Sequence, residues 1–118
     1  MHEVGIMESI LQIAEEKARE AKADRIDSIR MCIGEASGVV KEALEFAFEA
    51  LSPGTMAEGA EFISVVVKVK CKCERCDLEF SPDGIIYICP KCGDPVWKIT
   101  QGKELYLLSM EVSSDNDE

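Results

Sequence analysis

Four cysteines in two pairs, Cys73-x2-Cys76 and Cys89-x2-Cys92 with twelve residues between them, dictate how the second half of this chain can fold. Each x2 spacing lets one tight turn aim two sulfurs at a single ion. Four thiolates match tetrahedral Zn(2+), which imposes no geometry of its own. A closed four-sulfur shell leaves no position for water, so the expected zinc is structural. Metal binding supplies much of the folding free energy of so short a stretch, on the order of 10 kcal/mol. Gly93 follows the second pair and accommodates the left-handed backbone that such turns demand, while Asp77 stands at the same place in the first. A disulfide framework would require an oxidising compartment that nothing in the chain suggests. Iron in a rubredoxin-like site is the main rival to zinc. Cys71 is an extra thiol that could compete with Cys73, but the 73/76 pair fits the turn better. Cys32 reads as a small packed side chain on a strand.

The rest of the chain is patterned for a compact α+β fold. Residues 2–23 repeat Met7, Ile10, Leu11, Ala14, Ala18 and Ala21 at three- and four-residue steps, an amphipathic helix. Residues 26–34 alternate as a strand. Ser37 is the expected N-cap of a second helix carrying Val40, Leu44, Ala47, Phe48 and Leu51, stopped by Ser52-Pro53-Gly54. Residues 62–70 are β-branched, with Ile63, Val65, Val67 and Val69 aligned, and residues 105–112 form a last strand. The polar tail 113–118 is expected to be disordered. The expected architecture is two helices packed on a three-stranded sheet, with a zinc-ribbon-like module inserted between the second and third strands at a hairpin tip. Residues 1–70 plus 103–118 make one domain and 71–102 the inserted one. Short crossings between them leave monomer, dimer and a domain-swapped form open.

The formal net charge of -10 argues against nucleic acid and anionic membrane surfaces, which are bound through Lys and Arg. Lys72, Arg75, Lys91 and Lys98 are balanced by acidic neighbours, and Tyr87 and Trp97 alone make no stacking platform. No segment has the length of a membrane span, and the acidic start, with Glu3 and Glu8, does not resemble a signal peptide. The expected setting is cytoplasmic. The chain does not read as an enzyme: beyond His2 there is no imidazole for a general base, and no phosphate-cradling glycine loop.

That single histidine sits directly behind Met1. An imidazole nitrogen, the His2 backbone nitrogen and the Met1 amine, with Glu3 adding a carboxylate or another backbone nitrogen, suit the tetragonal preference of Ni(2+) or Cu(2+). Met1-His2-Glu3 runs into a helix and is followed by Gly34-Glu35-Ala36-Ser37-Gly38-Val39, Leu44-Glu45-Phe46-Ala47-Phe48, Gly54-Thr55, Gly59-Ala60 and the two cysteine pairs. In this order and spacing the chain resembles, over essentially its whole length, the hydrogenase maturation nickel metallochaperones of the HypA/HybF family. The resemblance implies a factor that carries Ni(2+) as transient cargo to the [NiFe]-hydrogenase large subunit, works with a hydrogenase maturation GTPase, and in some organisms also serves urease. It implies nickel ligation by Met1, His2 and Glu3, and zinc ligation by Cys73, Cys76, Cys89 and Cys92. Some members use a second histidine near the zinc module, which this chain lacks. The competing readings are a zinc-ribbon nucleic-acid-binding or translation factor and a rubredoxin-like electron carrier.

Overall fold

The structure, a computed structural model, describes residues 2–82, 84 and 86–115. In chain order the elements are α1 (Glu3–Glu20), β1 (Arg25–Gly34), α2 (Lys41–Leu51), β2 (Glu61–Val67), β3 (Lys70–Lys72), β4 (Glu79–Phe80), β5 (Ile99–Gln101) and β6 (Leu105–Ser113). They form two three-stranded sheets, ordered β2-β1-β6 and β4-β3-β5. The expected α+β class holds, with the cysteine module between the second and third strands of the main sheet. The hairpin does not. β1, whose Ile26, Ile29, Met31 and Ile33 are all buried, takes the centre, so the module joins two edge strands that are not neighbours.

Packing divides the chain into two units, Met1–Cys32, Val39–Val65 and Tyr106–Glu118 in one, Ile33–Gly38 and Val66–Leu105 in the other. In the first, α1 buries Met7, Ile10, Leu11, Ala14 and Ala18, and α2 buries Leu44, Ala47 and Phe48, each on one helical face. Phe48 stacks on Phe62 of β2 with ring centroids 4.9 Å apart. Each fully buried large side chain contributes roughly 1.5–3 kcal/mol. A solvent-screened pair such as Lys41–Glu45 adds little, so the apolar contacts dominate.

Several boundaries differ from the sequence expectation, each because a specific backbone group finds another partner. α1 stops at Glu20 rather than Ala23. Lys22 turns left-handed (φ 59°), the Lys22 N–H donates to the Arg19 carbonyl, and the Ala23 N–H donates to that of Ala18. This pair of bonds is a Schellman motif with lysine where glycine is usual. The N-cap of α2 is Val40, not Ser37. The strand expected over 62–70 breaks after Val67, because the Val69 N–H donates to the Glu35 carboxylate (2.9 Å) and the Lys68 carbonyl accepts from the Gln101 side chain. Val69 therefore packs in the second unit's core instead of continuing the main sheet. The tail is ordered as far as Asp115, whose N–H donates to Asp24 (2.7 Å), with Ser114 Oγ on the same carboxylate and Arg25 paired to the Asp115 side chain. Residues 116–118 lie outside the described residues.

In the second unit, residues 34–36 thread between both crossings. The Gly34 N–H donates to the Glu104 carbonyl (2.6 Å), Glu35 N–H to Val67 and Ala36 N–H to Gly102 (2.7 Å). A Cβ on Gly34 would overlap the Gly102 carbonyl and approach the Glu104 nitrogen at 2.7 Å, with only backbone in the way. Gly34→Ala is expected to cost about 3 kcal/mol or more, read as a fall in the urea midpoint. Lys22→Gly relieves the left-handed strain and is expected to raise the midpoint by about 1 kcal/mol, measured the same way.

Candidate metal centre

Both cysteine pairs fold into the same backbone turn. The Cys73 carbonyl accepts from Asp77 N–H (2.7 Å) and the Cys73 N–H donates to Leu78; the Cys89 carbonyl accepts from Gly93 N–H (2.9 Å) and the Cys89 N–H donates to Asp94. Asp77 (φ 60°) and Gly93 (φ 78°) occupy equivalent left-handed positions, as the sequence pattern anticipates. Outside the turns, Arg75 Nη1 donates to Asp94 Oδ2 at 3.0 Å and bridges one knuckle to the other, though both side chains are solvent-facing. Solvent screening leaves that pair with little weight.

The turns converge four sulfurs. Those of Cys73, Cys76, Cys89 and Cys92 all lie within 4.8 Å of one another, with Cys73 and Cys92 at 3.7 Å. A tetrahedral zinc with Zn–S near 2.3 Å requires S···S edges of about 3.8 Å, so the donor set fits such an ion. Among the described residues this is the group able to hold a metal. Cys71 is excluded from it. Its position on β3 opposite Phe80 and Ile99 places it, fully buried, in the module's core, where burial pushes its thiol pKa up.

Crowded sulfurs drive one another's ionisation apart. The neighbouring Cys92 sulfur, with burial, pushes the Cys76 thiol up to about 12. At Cys89 burial opposes ionisation, but the Cys92 and Lys91 N–H groups donate to its sulfur and bring it down to about 7. Cys92 accepts from the Asp94 N–H, which favours thiolate, yet burial and the Cys73 and Cys89 sulfurs leave it raised. Backbone donors are thus aimed at the sulfurs, while mutual repulsion blocks full ionisation. A divalent cation among them removes that conflict.

At the other end of the chain, His2 is exposed as the N-cap of α1 and its carbonyl accepts the first helical bond from Ile6 N–H (2.9 Å). Glu3 is only 7% exposed, and its Oε2 accepts from the Val40 N–H at 3.1 Å. The Val40 amide, then Glu3's own backbone N–H, hold its carboxyl below the usual glutamate range. Glu3 thereby does for α2 what the glutamate of a capping box does within one helix. Met1 lies outside the described residues. Sequence reasoning missed this contact because 37 residues separate its partners and neither local pattern points to the other.

These features define a small protein with a closed four-sulfur metal site and an exposed histidine behind the chain terminus. The model of the HypA family, described as hydrogenase/urease nickel incorporation metallochaperone, matches residues 1–112. The hydrogenase maturation factor HypA of Picosynechococcus is 46% identical over 95% of this chain and 99% of its own length. That of Aquifex aeolicus is 37% identical over 98% and 100%. The solution structure of the Ni metallochaperone HypA from Helicobacter pylori superposes with a TM-score of 0.67 at 33% identity, covering 98% of this chain and all of that one. The chain belongs to the HypA family of nickel-incorporation metallochaperones. No helix among the described residues is long and apolar enough to cross a membrane.

Asp77→Gly relieves the left-handed strain at the cost of an exposed Lys72 pair, and is expected to raise zinc affinity by about 1 kcal/mol, roughly fivefold, in a chelator competition. For Glu3 the expected order of urea midpoints is wild type, then Glu3→Gln, then Glu3→Ala, because the amide keeps an acceptor oxygen. A carboxyl with a lowered folded pKa stabilises above its ordinary pKa and loses that stabilisation as the folded form protonates. The gap between wild type and Glu3→Gln should therefore close below about pH 4, read from unfolding curves across pH.

Proposed function

We propose that this chain binds Ni(2+) at its N-terminus and delivers it to the [NiFe]-hydrogenase large subunit in the cytoplasm, together with a hydrogenase maturation GTPase, with urease as a further client. Cys73, Cys76, Cys89 and Cys92 hold a structural Zn(2+) and take no part in a reaction; the protein carries metal and is not a catalyst. Residues 1–70 and 103–118 form the nickel-binding domain and 71–102 the zinc-binding one.

The observation that carries the reading is the exposed His2 at the N-cap of a buried-faced helix, in a chain of this family. The nickel ligands are the Met1 amine, His2 and Glu3. Glu3 offers its carboxylate, which also accepts from the Val40 N–H, or its backbone nitrogen. Amides at a helix start have no intrahelical acceptor, so ligation there leaves the helix ladder intact. Protons compete for imidazole and amine, so nickel affinity falls with pH. Copper binds the same donors more tightly, and nickel selectivity comes from supply and docking.

Calorimetric nickel titration of zinc-loaded, untagged protein tests this. His2→Ala, or an N-terminal extension, is expected to weaken nickel binding by on the order of a hundredfold while zinc stays at one per chain. Undiminished affinity in both would sink the reading.

A further inference from the structure

The face of the cysteine module that the metal site leaves unused is apolar and bare. Ile88 pairs with Pro95 in an antiparallel bridge, and the Val96 N–H donates to the Tyr87 carbonyl at 2.8 Å. Segments 86–88 and 95–97 therefore form a short two-stranded ribbon in which side chains alternate between two faces. Val96 belongs to the buried core cluster that includes Cys73 and Cys89, and Tyr87 packs against that cluster. Ile88 and Pro95, then Ile86 and Trp97, share the outward face. Trp97 is 86% exposed, Ile86 72% and Ile88 50%. Ile86 and Trp97 also line one cleft of ≈ 270 Å³ together with Pro95 and Ile99.

Such a patch, on the order of 400 Å² of apolar surface, is unusual on a small module and marks an interaction site. Charge narrows the occupant. Residues 33–38 and 66–105 carry seven basic and seven acidic side chains, so the whole net charge of -10 falls on the other unit. Lys91 and Lys98, close in sequence to Ile88 and Trp97, are exposed and form no ion pair with any described residue, whereas Asp94 is already paired to Arg75. Two lysines on a neutral module are too few for a phosphate backbone. Two copies facing each other here would bury only about 800 Å², the level of a packing contact, with ten negative charges per copy opposing them.

We propose that the Ile86–Ile88–Trp97 face docks a partner protein that offers an apolar groove edged by carboxylates, with Trp97 as the buried anchor and Lys91 and Lys98 meeting its rim. The choice of partner rests on the nickel-carrier reading. The inner side of the same ribbon packs on the cysteine core, so docking bears on the rear of the metal site.

Trp97 is the chain's single tryptophan, and its emission reports on this face directly. The test adds purified maturation GTPase and purified apo large subunit, separately, to the zinc-loaded full chain. A blue shift and protection from acrylamide are expected with one of them, weakened at least tenfold in Ile86→Glu and in the Lys91→Glu/Lys98→Glu pair. Zinc content and the emission of each free variant show whether it has folded. The lysine pair, being fully at the surface, keeps the test open should Ile86→Glu misfold. A Trp97 that stays accessible with both proteins, while His2-dependent nickel binding persists, overturns the docking face and leaves the carrier reading intact. Trp97 burial without nickel binding does the reverse. Burial on concentrating the chain alone, or on adding single-stranded RNA, overturns the occupant.

Discussion

Mutual repulsion among four sulfurs held within 4.8 Å is the constraint around which the second unit is built. A segment of this size cannot bury enough apolar surface to fold on hydrophobic contacts alone. Its core consists largely of Val69, Cys71, Cys73, Cys89 and Val96, so two of the four candidate metal ligands double as core residues. In the second knuckle, the Lys91, Cys92 and Asp94 N–H groups donate to the Cys89 and Cys92 sulfurs and favour their thiolates. A divalent cation among the four sulfurs would complete the charge balance.

The first unit depends on a different principle. Its apolar helix faces and the Phe48–Phe62 stack supply the stability, and one buried carboxylate sets the geometry at the terminus. Glu3 fixes the start of α1 to the start of α2. The residue next to the exposed His2 is thus immobilised, while His2 itself stays accessible.

Residues 34–36 are held by backbone contacts within the second unit. Four backbone and side-chain bonds tie them to Val67, Val69, Gly102 and Glu104, and the crossing is so tight that Gly34 can carry no side chain. Glu35 supplies the acceptor that ends β2 and diverts Val69 into the core of the cysteine module.

Elements whose signal is local are legible in the sequence. Helix faces repeat every three or four residues, strands alternate, and each Cys-x2-Cys turn needs only its own few residues and a left-handed position after them. The family resemblance was legible for the same reason, being carried by short runs in fixed order. Only the tertiary structure decided what depended on distant partners: β1 at the sheet centre, Val40 in place of Ser37 as the cap, the break after Val67, the ordered Asp115, and the removal of Cys71 from the sulfur cluster. Each of those outcomes turns on which of several competent backbone or side-chain groups comes within about 3 Å, and that is a property of packing, which no local window of sequence contains.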